Sequence, residues 1–124
     1  MTESYGLTSE TFTTDNLFAG HEGIVTDTIV LITGQDLDRG SLLGKITASG
    51  KYTLSLSAAG DGSEVPVEIL ARDTDASAGD VETTSYRAGQ FNENALNIGT
   101  GHTAASVKEG LRALGIFLKS SVEA

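Results

Sequence analysis

Two histidines, His21 and His102, are the only imidazoles in the chain, and each stands among glycines, in Gly20-His21-Glu22-Gly23 and Gly101-His102-Thr103. A zinc centre needs three or four nitrogen, thiolate or carboxylate ligands on ordered elements. Two distant loop histidines in a chain with no cysteine do not meet that need, and both read as solvated loop residues. A second candidate is Asp73-Thr74-Asp75-Ala76-Ser77-Ala78-Gly79-Asp80, which starts like a calcium loop. Its glycine falls one place late, and its twelfth position holds Thr84 where a bidentate glutamate is required. The stretch is expected to be a solvated acidic connection between strands.

Acid–base catalysis could be sought among Asp61, Glu64 and Glu68, but one carboxyl would have to be buried with a raised pKa. Asp61 and Glu64 bracket a Gly-Ser turn and should be solvated. Glu68 alternates with Val67 and Ile69 and is expected to point away from the core. Ser106 has Lys108 near it in sequence but no base at a spacing that would activate it. Ser41-Leu42-Leu43-Gly44-Lys45 lacks the glycine spacing and the Lys-Ser/Thr pair of a phosphate loop. An enzyme is not expected, nor is any metal or cofactor.

The elements that position these residues are short. The chain has 124 residues, which suits one domain of modest stability. Its 15 glycines and single proline fit many short strands joined by glycine turns. Seventeen acidic against eight basic residues leave a net charge of −9. A nucleic-acid binder needs a basic stripe to replace phosphate counterions, so nucleic acid is not an expected partner, and an anionic membrane is disfavoured likewise. The start, Met1-Thr2-Glu3-Ser4, has neither the basic nor the apolar part of a signal peptide. The apolar run Ile29-Val30-Leu31-Ile32 is far too short to span a bilayer. A soluble intracellular product is therefore expected.

Residues 1–18 are rich in threonine and serine with sparse apolar residues, too few to order the segment by burial. Threonines and aromatics suit a strand, so it is read as an N-terminal arm able to add to a sheet edge elsewhere. Residues 19–124 form the domain. Gly20–Gly23 reads as a turn, and Ile24–Thr33, Ser41–Thr47, Lys51–Ser57 and Val65–Ala71 as strands. Gly44 marks a bulge or a close approach. Tyr52, Leu54 and Leu56 share one face of their strand, as do Val65, Val67, Ile69 and Ala71 of theirs. Val81–Gln90 alternates weakly and reads as an exposed strand. Thr103 can cap one helix that carries Val107, Leu111 and Leu114 on its buried face. Gly115 ends that helix in the left-handed conformation, and Ile116-Phe117-Leu118-Lys119 starts a final short strand or tail. The fold class is mainly β (α+β), a small barrel-like domain with one C-terminal helix and a flexible arm.

Several stretches, by their order and spacing, resemble the phage head decoration protein family, whose best-known member is the bacteriophage lambda protein. They are Leu17-Phe18-Ala19-Gly20, Arg39-Gly40-Ser41-Leu42-Leu43-Gly44-Lys45-Ile46 and Asp61-Gly62-Ser63-Glu64-Val65-Pro66-Val67-Glu68-Ile69-Leu70-Ala71. Tyr86-Arg87-Ala88-Gly89-Gln90-Phe91-Asn92-Glu93-Asn94-Ala95-Leu96 and the helix ending Leu114-Gly115-Ile116-Phe117-Leu118 complete the set. The chain departs from the lambda member in a longer C-terminal helix region and a shorter, proline-free arm. What the resemblance implies is a structural protein that cements the expanded phage head as a homotrimer at three-fold and quasi-three-fold sites. Its partner would be the major capsid protein, contacted by arm residues Thr11, Phe12, Thr13, Thr14, Leu17 and Phe18. Leu17 and Phe18 could equally pack on their own domain. The implied location is the exterior of the virion head, with the host cytoplasm during assembly.

Two other classes stay open on residues alone. A free-standing β-barrel module binding a small ligand or carbohydrate would want a concave pocket lined by aromatics, and three tyrosines and four phenylalanines leave few for one. A hydrolase is disfavoured by the residue inventory above.

Overall fold

A computed structural model describes residues 17–120, with the side chains of His21 and Glu22 left aside. Among the described residues eight strands and one helix follow in order: β1 Phe18–Leu31, β2 Asp36–Leu37, β3 Leu42–Lys45, β4 Tyr52–Leu54, β5 Pro66–Leu70, β6 Thr74–Asp75, β7 Val81–Asn92, α1 Ala104–Leu114 and β8 Ile116–Lys119. A 3-10 turn over Glu93–Ala95 separates β7 from the loop before α1.

The main sheet runs β1-β4-β3-β5-β7-β8, and β1 pairs again with β7, so five strands close into a ring. The β1–β7 pair is antiparallel, from Phe18 opposite Phe91 to Leu31 opposite Val81. The ring closes where Leu31 lies beside Tyr52 in parallel and the Ile32 N–H donates to the Tyr52 carbonyl at 2.9 Å. β8 lies parallel to the last part of β7, Ile116 beside Gly89 and Lys119 beside Asn92. β2 and β6 form a separate two-stranded ribbon.

Neighbouring residues on these strands serve two different cores. Ile29, Leu31, Leu43, Tyr52 and Leu70, with Leu37 and Ala76 of the ribbon region, fill the inside of the ring. Leu42, Ile69, Tyr86 and Phe91 face outward, where Val107 and Leu111 of α1 and Ile116 and Leu118 of β8 cover them. This is why Leu42-Leu43 and Ile69-Leu70 are adjacent apolar pairs: each strand is buried on both faces.

The mainly β, barrel-like fold with one C-terminal helix is the one expected, and the differences have local causes. β1 begins at Phe18 and runs through the expected turn Gly20–Gly23. Register shifts absorb the irregularity, and Gly23 takes φ +73°. The expected exposed strand, β7, is instead central, with β1 along one edge and β5 and β8 along the other. Its Thr83, Ser85 and Tyr86 are buried, and the weak alternation reflects polar residues facing inward. Leu56 is exposed because β4 ends at Leu54 and Ser55 turns inward. There the Ser55 N–H donates to the Leu42 carbonyl at 2.9 Å, and the hydroxyl donates to the Ser63 carbonyl at 2.7 Å. Val65 precedes the first paired residue, Pro66, and is exposed.

The helix has the expected ends. Thr103 accepts from the Ser106 N–H at 3.1 Å while its own N–H donates to the Ser106 hydroxyl at 2.9 Å, a reciprocal cap. Gly115 closes it at φ +96°. Leu114, expected in the core, is exposed, because the reversal at Gly115 brings Ile116 and Leu118 onto the core instead.

Gly44 shows both expected glycine roles. It sits at a register shift between β3 and β5, and its α-carbon lies against the Ser63 backbone.

Candidate functional site

The first candidate site lies where the described chain begins. Leu17 is only 3% exposed and belongs to the helix-side core, and its carbonyl accepts from the Asn92 N–H at 2.7 Å. Phe18 is half-buried against the same core. Its ring meets Tyr86 edge-on at 5.0 Å and Phe91 at 5.3 Å, pairs that contribute beyond their buried area. Arg39 closes this cluster from the loop before β3. Its guanidinium stands 5.6 Å from the Phe18 ring centre and 5.5 Å from that of Tyr86. Nη1 donates to the Tyr86 hydroxyl at 2.7 Å and to the Ala71 carbonyl at 2.8 Å, and the Arg39 N–H donates to Asp73 Oδ1 at 2.8 Å. Gly40, at φ +98°, brings the backbone against Leu17.

Of the residues expected to touch the capsid, Leu17 and Phe18 are therefore packed on their own domain, while Thr11, Phe12, Thr13 and Thr14 lie outside the described residues. Arg39 carried no role in the sequence reading. Its aromatic partner Tyr86 stands 47 positions away, and no local pattern announces such a meeting.

A second cluster sits inside the ring. Glu68, expected to point outward, is 6% exposed and faces inward. The Tyr52 hydroxyl donates to its Oε2 at 3.2 Å, and the Ser85 hydroxyl donates to its Oε1. Burial pushes the Glu68 carboxyl above the ordinary glutamate value, and the neighbouring Asp27 carboxylate adds to the rise against the Ser85 and Tyr52 donors. Burial, then Glu68, pushes the Tyr52 phenol up to about 12. The cluster is a network of a carboxyl and its donors closed within the wall of the ring, with Thr74 and Thr83 hydroxyls paired nearby at 2.9 Å.

His102 is half-buried rather than simply solvated, with Nε2 3.2 Å from the Ser55 hydroxyl. That hydroxyl gives its one proton to the Ser63 carbonyl, so the ring nitrogen must donate. A base that activates serine must accept instead, and this pair is a structural tie.

Two further carboxylates, Asp61 and Asp75, serve turns. Asp61 accepts from the Ser63 N–H at 3.0 Å and hydroxyl at 2.6 Å, and Asp75 holds Ser77 the same way. The serine hydroxyls, then their N–H groups, hold both carboxyls below the ordinary range. Asp73 turns to the Arg39 N–H, and Asp80 to the Thr33 N–H and Lys51 Nζ, at 2.8 Å and 2.6 Å. The acidic stretch is thus a connection whose carboxylates diverge, with Thr74 and Asp75 paired to Leu37 and Asp36. Ser106 is spent on the helix cap, and Lys108 pairs with Glu93 at 3.0 Å.

Among known proteins, residues 6–117 match the family model described as Bacteriophage lambda head decoration protein D. No curated protein matches the chain.

Proposed function

The chain belongs to the bacteriophage lambda head decoration protein D family, and from that premise we propose that it cements the expanded phage head as a homotrimer. It is a capsid decoration protein of the virion head, a structural role. The proposal adds the geometry: trimers at the three-fold and quasi-three-fold positions of the lattice, bound to the major capsid protein and holding the shell against packaged DNA. The observation that carries this is the family match, which spans nearly the whole chain in one stretch.

The physics is compatible. Val65, at 57% exposure, and the exposed Leu56, Leu114, Phe117 and Val25 are apolar surface that a closed three-fold assembly or a capsid contact would remove from water. The segment before Leu17 is the proposed arm, with Thr11, Phe12, Thr13 and Thr14 as its capsid contacts, while Leu17 and Phe18 form its root. Three arms on one trimer act together, so individually weak additions to a sheet edge add up to firm attachment. Binding only the expanded lattice would stabilise that state by its differential affinity. Against a free-standing ligand-binding barrel stands the ring interior, which is filled by Ile29, Leu31, Leu43 and Leu70.

Co-sedimentation with expanded, undecorated heads and with unexpanded procapsids tests the proposal. Saturable binding to expanded heads alone, near one copy per capsid subunit, is expected. Deleting residues 2–16 should abolish that binding while the thermal transition survives. Binding to neither particle would reduce the likeness to one of fold, and undiminished binding after the deletion would remove the arm from the mechanism.

A further inference from the structure

We infer that Arg39 is the positioning residue that fixes where the N-terminal arm leaves the folded domain, by clamping Phe18 against Tyr86. This rests on the proposed role of the arm. Residues 17 and 18 begin the described chain, directly after the proposed arm, and two adjacent residues of one loop seat them both. Gly40, at φ +98°, lies close to Leu17, and a Cβ there would crowd the Ala95 carbonyl at 3.1 Å while making ordinary contact with Leu17 Cδ1 at 3.5 Å. Arg39 lies within cation–π range of Phe18 and Tyr86 at once. Its two hydrogen bonds from Nη1, to the Ala71 carbonyl at the end of β5 and to the Tyr86 hydroxyl on β7, tie this loop to two strands of the ring. A planar guanidinium can stack and donate in fixed directions together, which a lysine ammonium cannot.

The consequence concerns entropy. An arm that leaves from a fixed point and direction searches less space for its site than one whose root frays, and three such arms bind from a pre-set geometry. Loss of the clamp should let residues 17 and 18 peel away while the ring, whose inner core contains neither of them, stays closed.

The Asn92 N–H reports that peeling, because its acceptor is the Leu17 carbonyl. The Leu70 N–H, bonded to the Ser41 carbonyl, and the Ser55 N–H, bonded to the Leu42 carbonyl, report the ring. In the full-length chain, Arg39→Met should speed hydrogen exchange at Asn92 about tenfold or more and at Leu70 and Ser55 less than about threefold. It should also weaken binding to expanded heads about tenfold. Arg39→Lys should recover only part of either loss. Unchanged exchange at Asn92, or equal acceleration at all three amides, overturns the inference. Tyr86→Phe removes only the hydroxyl acceptor and keeps the ring, so it serves if Arg39→Met does not fold. It should speed Asn92 exchange about threefold, and no change there overturns the inference too. A full-length chain with Phe12→Gly, Thr13→Gly and Thr14→Gly together separates the two ideas. If it binds heads normally, the arm reading fails while the exchange result stands. If it loses binding and Arg39→Met does not, the inference about Arg39 fails alone.

Discussion

Replacing Gly44 by alanine puts the backbone contact between β3 and the loop before β5 under direct strain. A Cβ at this position would stand 2.6 Å from the Ser63 carbonyl carbon and 2.7 Å from its Cα. That is roughly 0.8 Å short of the 3.4 Å at which ordinary contact begins. The neighbour has little freedom to yield, being backbone held on both sides. The Ser55 hydroxyl donates to the Ser63 carbonyl, and Asp61 holds the Ser63 N–H and hydroxyl. Overpacking of this kind costs about 1–3 kcal/mol, and the immobile partner favours the upper half. For a domain near 100 residues, about 2–3 kcal/mol lowers the melting temperature by about 10–15 °C. Gly60→Ala is the control, because its Cβ meets nothing within 4 Å, and it should melt as the parent does or slightly higher. Calorimetry of all three chains at one concentration, since assembly raises the transition, decides the matter. A Gly44→Ala transition within about 2 °C of the parent would refute the reasoning that this glycine is required by packing.

The buried carboxyl predicts a pH dependence. Glu68 has its folded pKa raised, so its contribution is complete below the unfolded value of 4.5 and is lost as pH rises through the folded value. Glu68→Gln keeps the size and cannot ionise, so its stability relative to the parent should grow with pH above 4.5. Urea midpoints across pH 4 to 8 would measure this, and a constant difference would count against it. Thr103→Ala removes the reciprocal cap with Ser106 and should cost about 1 kcal/mol, read as a lower urea midpoint with unchanged slope. Leu111→Ala empties a fully buried position between α1 and the sheet and should cost about 2–5 kcal/mol, the largest loss of the set by thermal melting.

What the sequence determined by itself was whatever depends on neighbours along the chain. Thr103 and Gly115 mark the helix ends through groups three or four residues away, and Pro66 marks the start of β5 because it has no N–H to share. Gly44 announced its close approach, since only a missing side chain tolerates one. The acidic stretch was legible as a connection because Asp75 and Ser77 satisfy each other within three residues.

The tertiary structure alone decided which face of each strand is buried, because the ring covers one face while α1 and β8 cover the other where they pack, and along β3 and β5 alternation ceases to report solvent. Glu68 and Ser85 face inward because they meet each other across β5 and β7, while Leu56 and Val65 fall outside because their strands end first. The arm root followed the same rule. Phe18, Arg39 and Tyr86 lie far apart in sequence and come together only when β1, the loop before β3 and β7 are in place. A cation beside two touching rings is a property of that meeting, and no spacing of residue types along the chain encodes it.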